Sequence, residues 1–220
     1  MRLRNIPGAR EHLKESSYVI DTPEEWKGHW REYFKNDHPL RIEIGTGKGC
    51  FIVQMAQENP DVNFIGIEKY SSVLLRAVQK QEEAQLTNLV YLRYEAELLE
   101  DVFAKDEVDL IYLNFSDPWP KKSQQTRRLP CKEFLRLYSN FLGADGHIEF
   151  KTDNRELFDF AVDEIVPGGY QILQITYDLH NDPAMNAGNV MTEYEKRFSG
   201  KGNAICKYVI ERSGAQVTLI

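Results

Sequence analysis

The sequence predicts a doubly wound α/β fold with a mostly parallel, seven-stranded sheet, helices on both faces and a β-hairpin at one edge. Three observations support this prediction. After Pro39, short apolar runs alternate with helical stretches, a pattern typical of parallel strands joined by right-handed crossovers. A glycine-rich segment follows the first of these runs. The last two runs have no strong helix between them, which favours a hairpin-like edge.

The chain of 220 residues fits a single domain over 1–220. Residues 1–20 are predicted to form a basic N-terminal arm. Up to Lys14, this arm carries four cations (Arg2, Arg4, Arg10 and Lys14) against the single acid Glu11. Such an arm can be disordered and become ordered on a binding partner, although an ordinary solvated terminus explains it equally well.

An N-terminal helix is predicted over residues 21–38. Its start has a capping residue, a first-turn proline and two acids near the positive end of the helix dipole, in Asp21-Thr22-Pro23-Glu24-Glu25. Trp26, Trp30 and Phe34 then follow at intervals of four residues. This spacing indicates one apolar stripe along a helix.

Seven strands and five helices are predicted after this point. The strands are Leu40–Ile44, Asn63–Ile67, Leu89–Leu92, Val108–Phe115, Gly146–Thr152, Tyr170–Tyr177 and Ala204–Glu211. The helices are Phe51–Glu58, Val73–Gln85, Leu98–Phe103, Cys131–Phe141 and Leu157–Ile165. A long irregular segment, 178–202, separates the last two strands, and connections of this length are usually functional or disordered.

Composition excludes several classes of protein. No apolar run approaches the roughly 20 residues that a membrane span needs, so a cytoplasmic protein is expected. The five histidines are scattered, and three widely spaced cysteines suggest neither a disulfide framework nor a metal site. The net charge of −7 by itself argues against nucleic-acid binding. However, residues 118–132 carry five cations and no acid, which indicates a local docking patch: Lys121, Lys122, Arg127, Arg128 and Lys132.

The glycine-rich segment indicates which ligand the fold binds. Gly45 and Gly47 follow a strand and let a ligand approach the backbone closely. A dinucleotide fingerprint needs a third glycine where Cys50 stands, and Gly49 comes one position early. Glu43 would also repel a phosphate. A carboxylate at this position suits a cationic ligand that carries an ammonium or sulfonium group.

Two further acids follow the next strands. Glu68 ends the second strand about 20 residues beyond the glycines, where an acid commonly accepts hydrogen bonds from ribose hydroxyls. A solvated strand-end carboxylate is the alternative. Glu95 follows the third strand, where adenosine-binding sheets line the adenine pocket. An exposed helix N-terminus explains Glu95 nearly as well.

The segment Asn114-Phe115-Ser116-Asp117-Pro118-Trp119-Pro120 ends the fourth strand beside the expected crevice. Two prolines and a tryptophan make a stiff loop that continues neither a strand nor a helix. Such a loop can fix Asp117 and offer Trp119 to a flat base. The alternative is a proline-rich turn whose tryptophan packs into the core.

Together these segments resemble the bacterial tRNA (guanine-N7)-methyltransferase family over nearly the whole chain. The glycine loop marks only the superfamily, whereas the Asp-Pro-Trp-Pro-Lys and Thr-x-Tyr-Glu segments mark the family. The matching segments are Arg2-Leu3-Arg4, Glu43-Ile44-Gly45-Thr46-Gly47-Lys48-Gly49, Gly66-Ile67-Glu68-Lys69, Asp117-Pro118-Trp119-Pro120-Lys121-Lys122, Arg127-Arg128-Leu129, Lys151-Thr152-Asp153-Asn154 and Thr192-Glu193-Tyr194-Glu195-Lys196-Arg197-Phe198.

The resemblance implies a Rossmann-like class I methyltransferase fold and methyl transfer from S-adenosylmethionine to N7 of guanine 46 in the variable loop of tRNA. It implies that Asp117 is catalytic and that the cofactor is bound by Glu43, Gly45, Gly47, Glu68, Glu95 and Asp117. It implies that tRNA is bound by Lys121, Arg127, Arg128, Asp153, Thr192, Glu193, Tyr194 and Glu195. Neither a metal nor a membrane is an expected partner, and the protein is expected to be a monomer or homodimer.

One departure from the family affects RNA binding. Where relatives carry arginine and histidine, this chain has Ser123-Gln124-Gln125-Thr126. Fewer cations make fewer phosphate contacts, so a flatter salt dependence is expected. Three other readings stay open: a methyltransferase with another acceptor, a nicotinamide-dependent oxidoreductase, and a non-enzymatic RNA-binding module. Cys50 and Glu43 disfavour the second, and the retained acids disfavour the third.

Overall fold

An eight-stranded sheet organises residues 6–214, which are the residues that this computed structural model describes. The strand order is β1-β4-β3-β2-β5-β6-β8-β7. All neighbouring strands are parallel except that β8 runs antiparallel to both β6 and β7. The strands are β1 (Val19–Ile20), β2 (Leu40–Ile44), β3 (Asn63–Ile67), β4 (Leu89–Leu92), β5 (Val108–Asn114), β6 (Leu142–Thr152), β7 (Tyr170–Thr176) and β8 (Cys206–Arg212).

The seven predicted strands are all present, and the eighth is an addition at the sheet edge. β1 has only two residues, and Val19 and Ile20 pair with Tyr91 and Leu92 of β4. A two-residue strand has no alternation that a sequence pattern can detect. Its formation depends on the exposed edge of β4, so only the tertiary structure defines it.

Helices cover both faces of the sheet, as predicted. They are α1 (Ala9–Glu15), α2 (Trp30–Phe34), α3 (Cys50–Glu58), α4 (Ser71–Ala84), α5 (Lys132–Tyr138), α6 (Arg155–Ile165), α7 (Pro183–Asn186) and α8 (Glu193–Ser199). In β3, Phe64 joins the core cluster formed with α1, α3 and α4, whereas Ile65 and Ile67 join the cluster formed with α2, α5 and α6. The strands are therefore buried on both sides, which explains their continuous apolar runs.

The predicted single helix over 21–38 is wrong. A 3-10 helix, Pro23–Trp26, and the short α2 replace it, with Gly28 between them at φ +81°. The Glu107 carboxylate accepts hydrogen bonds from the backbone N–H groups of Gly28 (2.9 Å) and Trp30 (3.1 Å), which stabilises the break. Trp30 still packs into the core, and its indole N–H donates to the Val102 carbonyl.

The described part of the predicted arm is folded. α1 packs on α4, and Leu13 is buried in the core cluster on that face. The backbone N–H of Ile6 donates to the Ser72 hydroxyl at 2.9 Å. Arg2 and Arg4 lie outside the described residues, so for them the arm stays a prediction.

The other differences concern short elements. The predicted helix Leu98–Phe103 is a 3-10 helix at Ala96–Asp101. The segment 178–202, predicted as irregular, contains the 3-10 helix Leu179–Asn181 and the helices α7 and α8. The side chains of Asp182 and Thr192 cap α7 and α8 by accepting from the backbone three residues on. This spacing is a helix-start signal that is visible in the sequence.

The strand order fixes where a ligand can bind. β2 lies between β3 and β5. On one side of it the sheet continues through β3 and β4, and on the other side through β5 and β6, so the strand order reverses at β2. In a doubly wound sheet, the crevice forms outside the carboxyl ends of the strands at this reversal. Glu43 and Asn114 therefore lie at the predicted position.

Gly49 offers a test of how tightly the glycine segment packs. A Cβ at Gly49 would lie 2.6 Å from the Ala77 Cβ, whereas one at Gly47 would have its nearest neighbour at 3.9 Å. Both glycines have positive φ, so Gly47→Ala controls for backbone strain. We expect Gly49→Ala to lower the free energy of unfolding by about 1–3 kcal/mol more than Gly47→Ala in urea titrations. Equal losses of stability in the two variants would show that the close approach of Gly49 to Ala77 of α4 does not restrict the residue at position 49.

Candidate active site

An open crevice of about 1030 Å³ lies at the carboxyl ends of the strands. It is lined by segments that follow β2, β3, β4, β5 and β6, and by the start of α8. Most predicted site residues line it together: Glu43, Gly45, Gly47, Glu68, Glu95, Asp117, Arg127, Asp153, Thr192, Glu193 and Tyr194. Three do not line it: Lys121, Arg128 and Glu195.

The glycine segment forms a cradle at the floor of the crevice. Gly45 and Gly47 have φ of +79° and +59°, and the N–H groups of Gly45 and Thr46 donate to the Ile67 carbonyl of β3. A Cβ added at either glycine would meet no atom closer than 3.9 Å. The backbone is therefore open to a ligand at these two positions, and side chains there would fill that space.

Glu43 is a buried carboxylate below this cradle. It accepts hydrogen bonds from the Thr46 hydroxyl (2.6 Å) and from the Asn114 side-chain amide (2.8 Å). Burial nevertheless raises its pKa to about 7, and nearby Lys151 offsets this only in part. A bound cation would favour the ionised form, so the site fits a positively charged ligand.

Glu68 is also buried and holds the cradle from β3. Its carboxylate accepts from the backbone N–H groups of Tyr70 (3.0 Å) and Gly47 (3.3 Å). Burial raises the pKa of Glu68 despite these donors. Glu95 is different, because its exposed side chain pairs with Lys69 at 3.4 Å and precedes the 3-10 helix after β4.

The loop after β5 carries Asp117 into the crevice on a strained backbone. Phe115 and Trp119 have φ of 52° and 41°, values that residues with side chains rarely adopt. Asp117 is exposed between them. Such strain is common at functional sites and persists only where the surroundings enforce it.

Aromatic side chains stand along the crevice. Tyr194 stacks with Phe115 (ring centroids 6.4 Å apart) and with Phe198 (6.1 Å). Trp119 lies under the Arg127 guanidinium, 4.9 Å from the ring centroid. These rings offer flat surfaces to which a nucleobase can stack.

A buried ion pair between Lys151 and Glu195 anchors α8 to the sheet. The Lys151 ammonium donates to the Glu195 carboxylate (2.8 Å), to the Asn189 side chain and to the Val190 carbonyl. Glu195 also accepts from His180 and Asn189, and the pair lowers its pKa against the effect of burial. The predicted direct contact of the Glu195 carboxylate with tRNA does not fit its complete burial.

Thr192 is similarly used by the fold, since its hydroxyl caps α8 by accepting from the Glu195 N–H. Glu193 is more exposed and connects α8 to the glycine segment. It pairs with Lys48 at 3.3 Å and accepts from the Cys50 thiol at 3.0 Å. Asp153 accepts from the Asn203 side chain at 3.0 Å.

The sequence analysis missed Lys151 and Asn114 as site residues, although both belong to segments that it identified. A lysine beside Phe150, at the end of a predicted strand in the sheet interior, was the available signal for a buried ion pair. Within residues 6–214, no cluster of three or more His, Cys, Asp or Glu side chains is arranged to hold a metal ion. Within the same range, no helix combines the length and apolarity needed to cross a membrane.

The glycine cradle, the acids Glu43 near the end of β2 and Glu68 just after β3, and the antiparallel strands at one sheet edge define a Rossmann-like class I methyltransferase fold. Two solved structures have this fold. The 16S rRNA methyltransferase KamB has a TM-score of 0.65 at 16% identity, over 84% of this chain and 93% of that one. An antibiotic-related methyltransferase has a TM-score of 0.63 at 18% identity, over 87% and 94%.

The chain belongs to the bacterial tRNA (guanine-N7)-methyltransferase family. Residues 37–208 match a family profile described as "Putative methyltransferase". The tRNA (guanine-N(7)-)-methyltransferase of Lachnoclostridium phytofermentans is 54% identical over 96% of this chain and 99% of its own length. The enzyme of the same name from Bacillus cytotoxicus is 50% identical over 93% and 94%.

The raised pKa of Glu43 predicts a pH-dependent cost to folding. The unfolded carboxyl titrates near 4.5 and the folded one near 7, so the folded state holds an extra proton between these values. The contribution of the Glu43 carboxyl to the free energy of unfolding is therefore full below about pH 4.5 and is lost as the pH rises through about 7. We therefore expect the stability gain of Glu43→Gln over the unsubstituted protein to grow across this window and then level off.

Urea unfolding from pH 4.5 to 8, without cofactor, measures this gain. Glu83→Gln, at an exposed carboxylate outside the crevice, controls for the loss of one negative charge. A stability difference for Glu43→Gln that stays flat with pH would contradict the expectation.

Proposed function

We propose that this protein transfers the methyl group of S-adenosylmethionine to N7 of guanine 46 in the variable loop of tRNA, forming 7-methylguanosine. One observation carries the proposal: buried acids and an open glycine cradle share a crevice with an exposed aspartate and stacking aromatics. The names of the relatives from L. phytofermentans and B. cytotoxicus support tRNA as the acceptor and N7 of guanine as the methylated atom.

The floor of the crevice would hold the cofactor, which supplies an activated methyl group on a cationic sulfur. Gly45 and Gly47 would allow close backbone approach, and Glu43 would supply negative charge to the cationic end. Glu68 would accept hydrogen bonds from the ribose hydroxyls. Glu95 would give up its contact with Lys69 and face the adenine instead.

The acceptor requires little acid–base chemistry. Guanine N7 has a free lone pair and no proton, so its methylation needs no general base. Alignment of the reactants can contribute about 7–11 kcal/mol in favourable cases. Methylation leaves positive charge on the imidazole ring, and the Asp117 carboxylate would stabilise this charge as it develops.

The exposed residues around the crevice would bind the tRNA. A base in folded RNA must be exposed first, at a cost of a few kcal/mol. Trp119 and Tyr194 would offset this cost by stacking, while Lys121 and Arg127 would contact phosphates. Asp153 and Glu193 would complete the contacts on the side of β6 and α8.

Nucleoside mass spectrometry tests the proposal. Purified protein and S-adenosylmethionine are incubated with a tRNA transcript that carries guanine 46 and with a matched transcript that carries adenine 46. 7-Methylguanosine in the first transcript alone is expected. Cofactor binding without this product would indicate a methyltransferase that acts on another RNA or on a small molecule.

The role of Asp117 gives a specific kinetic expectation. Asp117→Asn keeps the shape of the side chain and removes its charge, so the single-turnover rate at saturating cofactor should fall about 100-fold. Calorimetry gives the cofactor affinity separately. Asp163→Asn, at an exposed site on α6 outside the crevice, is the matched control. An unchanged chemical rate in Asp117→Asn would refute the electrostatic role.

A further inference from the structure

Arg128, predicted from the sequence to bind tRNA, is engaged with its own chain. Its Nε–H donates to the Pro118 carbonyl at 2.8 Å, and an Nη2–H donates to the Trp119 carbonyl at 3.1 Å. One guanidinium therefore holds two successive carbonyls of the loop that follows β5. This forked geometry depends on arginine, because an ammonium group has no rigid fork.

The Arg128 guanidinium also contacts a helix that packs on the sheet. The guanidinium lies over the Phe160 ring of α6, with 4.3 Å to the ring centroid. Phe160 packs against the main core cluster. Arg128 thus tethers the Pro118–Trp119 backbone to α6, which is part of the rigid core.

The loop that follows β5 has few contacts of its own that could hold its strained backbone. Phe115 and Trp119 are held at positive φ, a conformation that residues with a Cβ rarely adopt and that persists only where the surroundings enforce it. Pro118 and Pro120 have no N–H groups and so cannot make the backbone hydrogen bonds that normally rigidify a turn. Asp117 lies within this strained stretch, so the position of its carboxylate depends on contacts made by other residues.

The neighbouring Arg127 is in a different situation. It is exposed, lines the crevice and lies over the Trp119 ring. Its outward side is accessible to a phosphate, whereas Arg128 is half-buried behind the loop.

We propose that Arg128 is a positioning residue that holds Asp117 and Trp119 in place for methyl transfer, while Arg127 supplies the phosphate contact. This inference rests on the proposed function for its kinetic consequences. The structural part, the tether between the loop and α6, is independent of the reaction.

Two substitutions separate the two roles: one keeps the charge at Arg128, and the other removes the charge at Arg127. Arg128→Lys keeps the charge but loses the fork, so kcat on tRNA should fall about 10–100-fold, with KM and its salt dependence little changed. Arg127→Ala should raise KM and reduce the slope of log KM against log salt by about one. Arg136→Lys is the matched control, because Arg136 also donates to a proline carbonyl, that of Pro167, away from the crevice.

Limited trypsin digestion tests the tether without using activity. The bond after Lys122 should be cleaved several-fold faster in Arg128→Lys than in the unsubstituted protein or in Arg136→Lys. Unchanged cleavage, together with a raised KM and a flatter salt dependence for Arg128→Lys, would overturn the inference and make Arg128 a phosphate ligand. If the unsubstituted protein makes no 7-methylguanosine, the proposed function fails, while the cleavage rates still decide whether the tether exists.

Discussion

The buried Glu43 carboxylate, at the strand where the sheet order reverses, is the constraint on which the rest of the site depends. Through Asn114 it connects β2 to the end of β5, and through Thr46 it fixes the glycine cradle. Because it is desolvated and forms no ion pair with a side chain of residues 6–214, its pKa rises to about 7. Ionisation of this buried carboxyl weakens the fold, and a bound cation would offset that cost, as expected of a functional site.

The Lys151–Glu195 pair is a second buried charged group of the site, and it joins β6 to α8. Burying two charges gains little stability by itself, but a paired and fully hydrogen-bonded ammonium specifies one arrangement of its partners. Here the partners are Asn189, Val190 and Glu195, so the pair determines where α8 lies. Glu195 faces the sheet from α8, and its neighbour Tyr194 lies exposed at the crevice.

Much of this architecture was predictable from sequence because its signals are local. β2, β3 and β4 match their predicted bounds residue for residue, since each is a short, mainly apolar segment whose residues are almost all buried. The acids at strand ends were predictable for the same reason. The break at Gly28 and the burial of Glu195 were not, because each depends on a distant partner: Glu107 in the first case and Lys151 in the second.

The separation of charge in this chain explains how a protein of net charge −7 can act on RNA. Glu43 and Glu68 are buried within the crevice, where water screens their negative charge least and a cationic cofactor benefits most. Lys121, Lys122 and Arg127 are exposed around the loop that carries Asp117, where phosphates can reach them. Counterion release depends on these local contacts and not on the total charge, so an acidic protein can still bind RNA through a small basic surface.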